Sequence, residues 1–133
     1  MSTTVSINLP VSDLAVSTDF FTALGFSVNP QFRGAPGMEC LVISDCISVM
    51  LHTESGFQAL SRKDHVDARQ SAEVVLQLRV ESRQRVDELV DKALAAGGRI
   101  HHEPNDQGFL YGRSFQDLDG HLWDVFWVDM PAA

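Results

Sequence analysis

Leu9-Pro10-Val11-Ser12-Asp13 returns, 69 positions later, as Leu78-Arg79-Val80-Glu81-Ser82. Each stretch is a short strand of alternating apolar residues that delivers the chain to a helix N-cap, Asp13 in one copy and Ser82 in the other. A repeat of this kind decides the architecture before any single element is assigned. Working outward, the copies stay in step. Leu14, Phe20, Phe21 and Leu24 fall on one helix face before Gly25, while Val86, Leu89, Val90, Ala93 and Leu94 do the same before Gly97-Gly98, where a left-handed C-cap needs glycine. Strand starts follow at Phe26-Ser27-Val28 and Arg99-Ile100-His101. Each copy then has a polar loop and a hairpin. The first hairpin is Met38–Ile43 and Ile47–His52 around Asp45-Cys46. The second is Gly112–Gln116 and His121–Asp129 around Asp117-Leu118-Asp119-Gly120, with Asp-Gly as the turn signal. The pattern predicts an α+β chain of two tandem βαβββ modules, with one helix behind each sheet and the two sheets curling into a curved mixed sheet cup.

The 133 residues, 44% of them hydrophobic, suit a single domain over 1–133. Module one spans about 1–52, a polar linker about 53–72, and module two about 73–130. No apolar run approaches the roughly 18 residues of a membrane span, and Met1–Thr4 leads into a strand pattern without a signal-peptide pattern, so a cytoplasmic setting is expected. Ten Lys and Arg against 18 Asp and Glu give a net charge of −8, which argues against nucleic acid or an anionic membrane as partner. Cys40 and Cys46 lie close together on one hairpin and are assigned no chemistry.

The run Asn8-Leu9-Pro10-Val11-Ser12-Asp13-Leu14, then Phe20-Phe21 and Leu24-Gly25-Phe26, then Asp117-Leu118-Asp119-Gly120-His121 leading into Trp123-Asp124, resembles the vicinal oxygen chelate superfamily of glyoxalase I, extradiol dioxygenases and bleomycin-resistance proteins. Tyr111-Gly112-Arg113-Ser114-Phe115 with Leu94-Ala95-Ala96-Gly97-Gly98 resembles its small bacterial lactoylglutathione-lyase-like group. The resemblance covers essentially the whole chain. It implies the paired βαβββ fold, a ligand cup and, in the enzymes, a divalent metal on four side chains. Carried over one at a time, those positions are Ser6, Met50, Val75 and Asp124. Only Asp124 is an ordinary oxygen ligand, whereas Ser, the Met thioether and Val supply almost nothing to a hard or borderline cation. No cofactor is therefore expected, with a divalent metal as the alternative. A two-residue shift on the Met50 strand would keep the face and bring in His52.

Strand alternation then predicts which side chains line the cup. Ser6, Asn8 and Pro10 share a face, as do Ser48, Met50 and His52; Val75, Gln77 and Arg79; and Leu122, Asp124, Phe126 and Val128. Pairing across each hairpin with an even number of turn residues puts Glu39 and Leu41 beside Met50, and Tyr111, Arg113 and Phe115 beside Asp124. The substrate-binding candidates are thus Asn8, Met50, Gln77, Tyr111, Arg113, Phe115 and Phe126, with Phe57 from the linker as a contact if that segment is a lid. Asp124 and His52 are the catalytic candidates. Arg113 and Asp124 read equally as a cross-strand ion pair. Trp123 and Trp127 alternate with the cup residues and point to the helices, and His101-His102 reads as a surface pair.

Two functions compete, beside the alternative of an interaction or regulatory module in which the cup is only a core. One is metal-free binding or sequestration of a small molecule, for which the acidic balance suits a cationic ligand. The other is catalysis, by a metal-dependent lyase or isomerase resembling lactoylglutathione lyase or by a metal-free enzyme using Asp124 or His52 as base. A homodimer is the expected assembly, since sheet edges need partners.

Overall fold

The computed structural model describes residues 2–131. The chain divides into two compact units with the boundary between Val66 and Asp67. In the first unit, β1 (Val5–Val11) leads into α1 (Leu14–Ala23), then β2 (Ser27–Val28), a 3-10 turn at Pro30–Phe32, β3 (Met38–Ser44), β4 (Ile47–Thr53) and α2 (Glu54–Ser61). Its sheet runs β1-β4-β3-β2, with β1 parallel to β4 and the other pairs antiparallel. The second unit repeats the plan: β5 (Val75–Arg79), α3 (Arg83–Ala95), β6 (Arg99–Ile100), β7 (Asn105–Asp106), β8 (Leu110–Gln116) and β9 (Leu122–Val128), in the order β5-β9-β8-β6 with β7 also on β8. The expected duplicated βαβββ plan and α+β class are what the chain forms. No helix among the described residues is long and apolar enough to cross a membrane.

The helices α1 and α3 start as their sequences dictate. Asp13 accepts the Val16 amide at 3.1 Å and Ser82 the Arg85 amide at 3.0 Å, each satisfying a donor the first helical turn leaves open. One face of each sheet is covered by its helix. In the first unit α1 packs on β3 and β4, burying Phe20, Phe21 and Leu24 in the same core as Leu41, Val49 and Leu51. In the second, Val86, Leu89, Val90 and Ala93 of α3 bury with Phe115, Trp123 and Val125, and the Phe115 and Trp123 rings stack with centroids 6.1 Å apart. Each buried Val, Leu or Phe among these contributes about 1.5–3 kcal/mol by leaving water. The stretch expected to bridge the modules begins with α2, which packs on β1 and β4 of the first unit.

Turn length decides which side chains share a face, and here the structure corrects the even-turn expectation. Gln116 pairs with Leu122, leaving five turn residues, Asp117–His121. The Asp117 carboxylate holds this turn, accepting the Asp119 and His121 amides at 3.0 Å each and the Trp123 indole N–H at 3.1 Å. Gly120 completes it at φ +87°, and a Cβ there would stand 2.7 Å from the Arg69 Cα. In the first hairpin Asp45-Cys46 is a two-residue turn, but a bulge at Ile43 adds one residue to the count. An odd count reverses the facing. Cys40, not Glu39 or Leu41, is opposite Met50, and Ser114, not Arg113, is opposite Asp124. Tyr111, Arg113 and Phe115 lie on the helix side of their sheet.

Candidate functional site

In the first unit the parallel register Asn8↔Met50 and Pro10↔His52 places Ser6, Asn8, Met50 and His52 on the face away from α1, as the alternation predicts. His52 is buried, and its Nε2–H donates to Asn8 Oδ1 at 2.7 Å while the Asn8 amide donates to the Ser6 carbonyl at 3.3 Å. Burial pushes the imidazole pKa below its ordinary value. Phe57 of α2 sets its ring edge-on 6.4 Å from His52 and 6.3 Å from His65. Phe57 thus closes over the end of β4 as part of the unit's packing. Met50 is buried beside this group.

In the second unit the same face carries a hollow of about 270 Å³ lined by Gln77, His102, Asn105, Leu110, Gly112 and Phe126, with Asp124 in its wall. Asp124 Oδ2 accepts from the Gln77 amide at 3.3 Å, and Oδ1 stands 3.6 Å from His102 Nε2. The His102 Nδ1 lies 2.8 Å from the Glu103 carbonyl; a carbonyl only accepts, so Nδ1 carries hydrogen. The hollow exists because Gly112, opposite both Phe126 on β9 and Asn105 on β7, has no side chain to fill it. Arg113 and Val125 line it from beneath, since their side chains leave from the other face.

The expected Arg113–Asp124 pair is absent, for the same reason of register. Arg113 instead donates to Asp87 and Asp91 of α3, at 2.9 Å each, and the Tyr111 hydroxyl donates to Asp87 at 2.7 Å. That hydrogen bond, with the arginine's, holds the Asp87 carboxyl below its usual range. Arg83 lies over the Tyr111 ring at 4.5 Å and pairs with Asp106. Tyr111 and Arg113 therefore strap α3 to β8, and Phe115 is core.

Of the sequence candidates, the hollow collects Gln77, Asp124 and Phe126. Asn8, Met50, His52 and Phe57 gather in the first unit. His102, read from the sequence as one of a surface pair, also lines the hollow, and Asn105, Leu110 and Gly112 are not among the sequence candidates. An odd hairpin count would have found Gly112 and Leu110. Nothing in the sequence marks β7, the two-residue strand that brings in Asn105, or the backbone path that turns the second of two adjacent histidines toward Asp124.

The metal positions implied by the resemblance hold a hydroxyl (Ser6), a buried thioether (Met50), a half-exposed aliphatic chain (Val75) and one carboxylate (Asp124). Among the described residues no three His, Cys, Asp or Glu side chains group as a metal site. This donor set does not fit a four-ligand divalent centre.

Two sheets of this order, each with its helix and an opposite face carrying polar groups, define a duplicated βαβββ fold. The chain belongs to the Glyoxalase/Bleomycin resistance protein/Dioxygenase superfamily, whose family model matches residues 3–125. Among solved structures it is similar to hypothetical protein SA1046 from S. aureus, at 33% identity over 95% of this chain and 94% of that one, with a TM-score of 0.80. A glyoxalase/bleomycin resistance protein/dioxygenase family enzyme from Burkholderia phytofirmans PsJN shares the fold at 17% identity, covering 96% of this chain and 99% of that one, TM-score 0.79. So does a glyoxalase-related enzyme from Fulvimarina pelagi, at 21% identity, 96% and 88% coverage and TM-score 0.77. No curated protein matches.

Proposed function

We propose that this superfamily member binds a small organic molecule in the hollow of the second unit, without the four-ligand metal centre of its enzymatic relatives. The observation that carries the reading is the hollow itself, in which the apolar Leu110 and Phe126 and the bare Gly112 backbone lie beside the converging polar side chains of Gln77, His102, Asn105 and Asp124, a mixture that suits a small-molecule site. Asp124 is the group that meets the ligand, while His52, buried and bonded to Asn8, holds β1 to β4. The acidic balance of the chain favours a cationic ligand. A homodimer in the cytoplasm belongs to the same proposal, supported by β1 and β5 lying at the ends of their strand orders; light scattering on the purified chain checks the assembly.

The experiment is metal content per chain, measured on protein purified without chelator and again after incubation with Ni²⁺, Zn²⁺, Co²⁺, Mn²⁺ and Fe²⁺. The expected content is far below one ion per chain in every case. Near-stoichiometric metal lost on Asp124→Ala would overturn the reading and restore the lyase or isomerase class.

A further inference from the structure

The two units are built in the same register, and the difference between them shows what the second is shaped to hold. The hollow's Gly112, Asp124 and Phe126 stand where the first unit has Met38, Met50 and His52, each pair separated by 74 positions in sequence and matched in strand pairing. Two long side chains and a buried imidazole occupy in one copy the face that a glycine, a carboxylate and a phenyl ring leave open in the other. Gly112 is not required by the backbone. Its φ is not positive, and a Cβ built there would meet only the Phe126 Cβ at 3.4 Å and the Val125 carbonyl at 3.6 Å, ordinary contact distances. What glycine provides at this position is bare peptide.

The polar end of the hollow holds the Asp124 carboxylate. Among the described residues, Asp124 accepts a hydrogen bond from the Gln77 amide and faces the His102 imidazole, whose Nε2 stands 3.6 Å from Oδ1, outside hydrogen-bond distance. Of the arginines on this sheet and its helix, Arg83 pairs with Asp106 and Arg113 with Asp87 and Asp91, Arg79 donates to the Met130 carbonyl, and Arg99, opposite Gln116 on β6, does not line the hollow. A carboxylate has about four lone-pair positions, so Asp124 keeps acceptor capacity that the Gln77 amide does not fill. Leu110 stands toward the opposite end of the floor, two residues along β8 on the same face.

From these features, and resting on the hollow being the ligand site, we infer that the ligand is a planar organic cation. Its flat body lies on the Gly112 backbone between Asn105 and Phe126, and its N–H-bearing edge donates to Asp124. An amidinium or a protonated aminoheterocycle has this shape and presents two parallel donors to a carboxylate. Gly112 sets the size limit, and Asp124 selects the charge.

The test uses the full chain in chelator-containing buffer, benzamidine as the planar cation and benzamide as its neutral counterpart, with binding read from amide chemical shifts across the protein. Benzamidine is expected to shift Gly112, Asp124 and Phe126 and to bind at least fivefold more tightly than benzamide. Asp124→Asn should remove that difference. Gly112→Val should abolish the shifts, and Gly112→Ala, whose extra methyl the strand accommodates, should weaken benzamidine at least threefold with a native spectrum. Equal binding of the two probes at these amides would overturn the cation assignment while leaving the hollow as a ligand site. Binding of benzamidine elsewhere, or none, would overturn the cation assignment as well.

Discussion

Replacing Asp117 with alanine tests the turn that decides which side chains face the hollow. The wild-type carboxylate accepts three hydrogen bonds, two of them from donors shut away from water, the Asp119 amide and the Trp123 indole, and one from the partly buried His121 amide. A buried donor left without a partner costs about 1–3 kcal/mol. Against this stands the desolvation of the carboxylate itself, which pushes its pKa above the ordinary 3.8 and is relieved by the substitution. The net loss for Asp117→Ala is about 3 kcal/mol. With a urea slope of about 1.5 kcal/mol per molar, the midpoint moves down by about 2 M. The two tryptophans, Trp123 and Trp127, both lie in the second unit, so intrinsic fluorescence follows that unit alone. A midpoint shift under about 0.5 M would refute the claim that Asp117 holds the turn.

The remaining expectations follow from the same contacts. Because burial lowers the His52 pKa, the folded state takes up fewer protons than the unfolded chain below the ordinary value of 6.5; stability therefore falls as pH drops through and below that value, by up to about 1.4 kcal/mol per unit. His52→Gln should flatten this dependence between pH 7 and 5 in thermal melts followed by circular dichroism, and an unchanged slope would count against a neutral buried imidazole. Arg113→Ala removes the strap from α3 to β8 and should cost about 1–2 kcal/mol in urea unfolding. The same variant should bind benzamidine as the wild type does, since its side chain faces away from the hollow; a tenfold loss would show that the arginine reaches the ligand.

The duplication was legible because its signals are local: an N-cap, an amphipathic helix closed by glycine, and a turn, each twice. Strand alternation likewise put Gln77 with Asp124 and Asn8 with Met50. Facing across the hairpins was not legible, because one residue more or less in a turn inverts every pairing. Asp117–His121 has five residues rather than four, and Ile43 hides a bulge inside an apolar run. The five-residue turn moved Tyr111, Arg113 and Phe115 from the expected cup to the helix side, and it kept Gly112 out of view. His102 and Asn105 reach the hollow through a tertiary path with no periodicity, so no pattern in the sequence announces them.

The central claim is a ligand site on the open face of the second sheet that works without metal. A small-molecule fragment screen on isotope-labelled protein, read by amide shifts with chelator present and repeated with added Zn²⁺ or Ni²⁺, tests it most directly. The account predicts hits that cluster at Gln77, Gly112, Asp124 and Phe126 and are unchanged by metal. Hits that appear only with metal, or none at these residues under either condition, would contradict it.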